Sequence, residues 1–63
     1  MNIGERIREY RLAAGLSQRE LAQLVGVTRA VVTAWESGKA CPKLDKLYPL
    51  ATALKCTIKQ LVW

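Results

Sequence analysis

Ten lysines and arginines set against five carboxylates are the main chemical resource of this 63-residue chain, which carries a formal charge of +5. So large an excess on so small a body attracts anions, nucleic acid before a membrane surface. Catalytic chemistry is poorly supplied. Histidine is absent, no glycine-rich loop is spaced to cradle a phosphate, and the carboxylates are scattered, so neither an enzyme nor a cofactor is expected. Cys41 and Cys56 are the only thiols. Without histidine they do not make up a zinc ligand set, and they read as reduced side chains, one in a loop and one packed as a small hydrophobe.

The cations must be carried by helices, because apolar residues recur at helical spacing and nowhere alternate long enough for a strand. The expected fold is all-α, five short helices in one domain over residues 1–63. The first begins with Asn2 as cap and Glu5 reaching back, presents Ile3, Ile7, Tyr10 and Ala14 on one side, and ends near Gly15. "SQRE" starts the second, with Ser17 capping and Glu20 closing a capping box before Leu21, Ala22, Leu24 and Val25. Thr28 is the expected cap of the third, which runs to about Ser37 and stops at Gly38. The fourth covers "LDKLYPLATAL", with Leu44, Leu47, Leu50, Ala51 and Leu54 in register and Pro49 forcing a late start or a kink. Thr57 and Gln60 open the fifth, which carries Ile58, Leu61 and Val62. No apolar run approaches the ~20 residues that cross a bilayer. The charged start "MNIGERIREYR" is unlike a secretory signal, so the expected location is the cytoplasm.

Only "VGVT" separates the second helix from the third. So tight a turn forces them to cross steeply, with Ala22 and Gly26 where the backbones approach and Gly26 free to take positive φ. Val27, Val32 and Trp35 then point inward to meet Leu21 and Val25. Over about residues 17–37 the chain resembles a helix-turn-helix. More specifically it resembles the Cro and phage-repressor, or xenobiotic-response-element, type of that domain over essentially its whole length. The likeness is carried by "IGERIREYR", by "GLSQRELAQLVGVTRAVVTAWESGK", by the Pro and Leu spacing from Pro42 to Leu54, and by the joint placing of Arg11, Gln18, Ala22, Gly26, Trp35, Glu36 and Gly38.

That resemblance implies a DNA-binding transcriptional regulator, a repressor by analogy, whose third helix lies in the major groove of double-stranded DNA. It also implies a structural ion pair between Arg11 and Glu36. Glu5 and Glu20 are then caps, so three of the five scattered carboxylates have structural roles. With Val32 and Trp35 inward, Ala30, Thr33, Ala34 and Ser37 face the bases, flanked by Arg29 and Val31. Arg29 can donate twice to a guanine, and the alanines and the Thr33 methyl can touch thymine methyls. Ser17, Gln18 and Thr28, at helix starts, and Lys39 and Lys43, in the following loop, are the expected phosphate contacts. One short helix covers few base pairs, so a homodimer on a two-fold symmetric operator is expected, with the fourth and fifth helices and Trp63 as its surface. No small-molecule ligand, metal or membrane partner is indicated.

Two departures from the family pattern stand out. Ala30, Val31 and Ala34 leave the reading face short of donors and acceptors, which suits methyl contacts and DNA shape but equally a protein partner, as in an antitoxin or antirepressor. Lys55 and Cys56 stand where the family has a glycine and a small aliphatic residue, so Lys55 has to enter the left-handed region at some cost.

Overall fold

Local signals at the chain's turns set the boundaries of five helices. The computed structural model describes residues 3–62, where α1 is Ile3–Ala13, α2 Gln18–Val25, α3 Arg29–Ser37, α4 Leu44–Leu54 and α5 Ile58–Val62, with no strand among the described residues. The expected cap Asn2 and the terminal Trp63 lie outside the described residues. At α2 the Glu20 amide donates to Ser17 Oγ at 3.0 Å and the Ser17 amide to Glu20 Oε1 at 2.9 Å. The bond from the Ser17 amide, with the Ser17 hydroxyl second, favours the ionised carboxyl and holds Glu20 below the usual glutamate pKa. Thr57 and Gln60 repeat the device at α5, at 2.8 and 3.1 Å.

Thr28 departs from expectation. It takes the extended backbone of a cap, but its side chain makes no capping bond; only its carbonyl is used, accepting from the Val31 and Val32 amides at 3.1 and 3.4 Å. Gly26 has φ +83°, yet a Cβ built there would meet nothing within 4 Å. Its place in the turn is therefore owed to its dihedral and not to close helix approach.

Pro49 neither delays nor divides α4, which runs from Leu44 to Leu54. The ring removes one amide that would have donated to Asp45. Asp45 is exposed in the first turn, where water can replace the lost donor. The helix stops at Lys55, the one non-glycine residue with positive φ among those described, at +56°. Because Lys55 is exposed, Lys55→Gly should remove backbone strain without removing packing and raise stability by about 1 kcal/mol in a denaturant melt.

The core joins Ile7 of α1, Leu21, Ala22 and Val25 of α2, Val32 and Trp35 of α3, Leu50, Ala51 and Leu54 of α4, and Leu61 of α5. Fully buried aliphatic side chains such as Ile7, Leu21 and Leu50 each contribute about 1.5–3 kcal/mol. Four residues of the apolar pattern face outward instead: Ala14, Leu24, Leu44 and Val62. On α2, Leu21, Ala22 and Val25 define the buried arc and Leu24 lies about 100° from its centre. On α1 the inward place one turn after Ile7 belongs to Arg11.

α3 packs chiefly on α1 and α2, while α4 packs on α2 and α5 closes against α1 and α4. The Arg6 guanidinium ties that last junction, donating to the Gln60 carbonyl at 2.7 Å. The far side of α3 is thereby left open.

Candidate nucleic-acid interface

A buried charge sets the pose of α3. Arg11 is 8% exposed, a position that an unpaired guanidinium could not occupy cheaply. Its Nε donates to Glu36 Oε2 at 2.6 Å, its Nη2 to Glu36 Oε1 at 3.1 Å and its Nη1 to the Leu16 carbonyl at 2.8 Å. The fork geometry is the strong, directional form of the ion pair. It joins the last turn of α1 to the last turn of α3 and holds the loop before α2 in the same grip. No buried side-chain nitrogen or oxygen is left without a partner among the described residues.

Gln18, the first residue of α2, extends this arrangement to the surface. Its Nε2 donates to Glu36 Oε1 at 3.1 Å, while its Oε1 accepts from Thr33 Oγ1 at 3.0 Å and from Arg29 Nε at 3.5 Å. The last distance is at the outer limit of a hydrogen bond. One amide thus links the buried pair to two residues on the outward face of α3.

Arg29, Ala30, Thr33, Ala34 and Ser37 line one continuous shallow groove with Lys39. All are exposed except Ala34, which is half-buried. Val31, expected to flank them, packs partly against the core. Along the helix, Arg29 to Ser37 spans about 12 Å, with a cation near each end and small side chains between.

The phosphate candidates are less alike than their common sequence role suggested. Ser17 is exposed, but its hydroxyl and amide are both engaged with Glu20. Gln18 has both ends of its amide occupied. Thr28 is exposed, without a capping bond of its own. Lys39 belongs to the groove, whereas Lys43 precedes α4 as its cap residue and is not among the groove's lining residues. The linking role of Gln18 was missed by sequence reasoning, which placed it only against phosphate, because its partners lie 11 to 18 residues away on another helix. Elsewhere, Cys41 is exposed, and partial burial pushes the Cys56 thiol above its ordinary pKa. No group of side chains among the described residues could hold a metal ion, and no described helix is long and apolar enough to cross a membrane.

Comparison with known proteins gives a consistent set. Residues 7–61 match the helix-turn-helix family. The chain is 48% identical over 48 residues to an uncharacterized HTH-type transcriptional regulator of Methanothermobacter thermautotrophicus, covering 76% of this chain and 70% of that one. It superposes with a TM-score of 0.91 and 33% identity on the P22 c2 repressor protein in complex with a synthetic operator, covering 97% of this chain and 92% of that one. Against the full C2 repressor of Salmonella phage P22 it spans only 26% of the length. The restriction-modification controller protein C.AhdI from Aeromonas hydrophila superposes with a TM-score of 0.90 and 42% identity, covering 95% of this chain and 91% of that one.

Proposed function

This chain belongs to the helix-turn-helix family, and from that membership we propose that it is a sequence-specific DNA-binding transcriptional regulator, a repressor, that inserts α3 into the major groove. The observation that carries the reading is the open face of α3: a groove with Arg29 at one end and Lys39 at the other, on a chain of net charge +5. Arg29, Ala30, Thr33, Ala34 and Ser37 meet base edges; Ser17, Gln18, Thr28, Lys39 and Lys43 surround them on the phosphate side. Ser17 and Gln18 reach the backbone through the start of α2, where helix geometry favours an anion. The protein acts by binding and not by catalysis, in the cytoplasm of a prokaryotic or phage-infected cell where its DNA lies.

Titration of duplex DNA at two salt concentrations tests this. Lys39→Ala and Lys43→Ala should each weaken binding to all sequences alike and lower the slope of log affinity against log salt by up to about 0.9. Arg29→Ala should instead cost about 1–3 kcal/mol and relax the preference at one guanine. A protein partner for the same face, the antitoxin or antirepressor alternative, would give binding indifferent to salt and to all three changes. Val31 lies partly against the core, which removes one of the apolar residues that favoured that alternative.

We further propose that it works as a homodimer, since the roughly 12 Å of α3 reads only part of an operator and a second copy doubles the bases read. A footprint should then show two half-sites centred about 10 bp apart, or a multiple of that, on one side of the duplex. Protection of a single half-site by a monomer would contradict it.

A further inference from the structure

Two hydroxyls lie on the groove of α3, and both are turned back into the protein. Thr33 Oγ1 donates to Gln18 Oε1 at 3.0 Å and Ser37 Oγ to the Ala34 carbonyl at 3.2 Å. A hydroxyl carries a single proton, so neither oxygen has a hydrogen left to offer a base; each can only accept. Between Arg29 and Lys39 the remaining surface is methyl: the Cβ atoms of Ala30 and Ala34 and the γ-methyl of Thr33, whose hydroxyl is committed to Gln18.

In the major groove, thymine presents a C5-methyl beside an O4 acceptor and cytosine an N4 donor with no methyl. A surface that packs on the methyl and donates nothing to O4 has no means of telling thymine from a cytosine bearing the same methyl. The engaged hydroxyls, still able to accept, are if anything better partners for an N4 donor than for O4. We infer that the groove between Arg29 and Lys39 recognises the C5-methyl group of pyrimidines, so that 5-methylcytosine replaces thymine there and cytosine-5 methylation of a duplex creates binding sites for this protein. The inference rests on the DNA-binding reading above and gives that reading its ligand chemistry. At the two ends Arg29 keeps its guanine, as proposed above, and Lys39 supplies charge complementarity to the neighbouring phosphate.

The test begins with a duplex selected from random sequence by the pure protein. Each thymine of the half-site is replaced singly by deoxyuridine opposite adenine, by cytosine opposite guanine, and by 5-methylcytosine opposite guanine, and affinity is read by fluorescence anisotropy. Comparing uracil with thymine, and cytosine with 5-methylcytosine, changes the methyl while the purine opposite stays the same. At the positions facing the groove, loss of the methyl should weaken binding about fourfold in each comparison, the worth of one buried methyl group. Thr33→Ser, which drops the methyl and keeps the hydroxyl, should weaken binding more than Thr33→Val, which does the converse. Tight, salt-dependent binding with no methyl-sensitive position overturns this inference alone, as does a methyl-sensitive position where 5-methylcytosine is no better than cytosine. The reverse order of the two Thr33 variants also overturns it, because the hydroxyl would then be the reading group. Absence of any salt-dependent duplex binding would overturn the regulator reading itself.

Discussion

Glu36→Ala should destabilise this domain by about 3–5 kcal/mol, the range for removing one partner of a buried ion pair. The side chains of Arg11 and Glu36 are only 10% and 5% exposed. Without the carboxylate, Arg11 keeps a single bond to the Leu16 carbonyl while still carrying its charge in a desolvated place. The Nε2 of Gln18 loses its acceptor at the same stroke. A chain of this length has a total stability of roughly 3–9 kcal/mol, so the variant should sit close to unfolding at room temperature. Replacing Arg11 and Glu36 together by leucine should cost much less, because the penalty lies in the orphaned charge and not in the absence of the pair. Urea melts of the single and double variants decide this; a single variant as stable as the parent would mean that the pair does not hold α3 on α1.

Ala30→Glu should leave the fold intact and abolish duplex binding. Ala30 is exposed and lies in the first turn of α3, where a carboxylate interacts favourably with the helix dipole, so the melting temperature should hold or rise slightly. In the groove the same carboxylate would face the phosphates flanking α3. Placing like charges against each other costs about 3 kcal/mol or more, roughly a hundredfold in affinity. The contrast between unchanged stability and lost binding is what distinguishes this residue from Glu36. An Ala30→Glu protein that binds selected and random duplexes as well as the parent would place the DNA surface elsewhere.

Features written in a few neighbouring residues could be read directly. The boxes at Ser17 and Thr57 and the left-handed positions at Gly26 and Gly38 follow from side-chain type at fixed spacing, whereas that at Lys55 was legible only through the family resemblance. Reading was weaker where tertiary contact outweighs pattern. Ala14 looked like the inward residue of α1, but Arg11 takes that side because Glu36, 25 residues away, makes a buried guanidinium tolerable. Leu24 and Leu44 fit an apolar period yet face solvent, since helices this short bury only a narrow arc. Pro49 is accommodated because the carbonyl it deprives belongs to an exposed residue. At the interface, the five residues expected on the base-facing side of α3 do line one groove, as helical periodicity alone requires once Val32 and Trp35 point inward. The Gln18 link was hidden because it depends on how two helices are set against each other, which no local spacing encodes.

The junction between α5 and α1 has a dynamic counterpart. α5 has five residues, too few to persist alone when isolated helices shorter than about 12–15 residues are marginal in water. It stays through Leu61 in the core, its capping box and the Arg6 bond to Gln60. A segment held in this way opens as a unit at a free energy below that of global unfolding. Backbone amides of α5 should exchange with solvent deuterium well before those of α2 and α3, whose mutual packing does not involve it, nor does the Arg11–Glu36 pair that ties α3 to α1. The helix proposed to read DNA is therefore insulated from the opening of α5, which can detach and return many times while α3 keeps its pose.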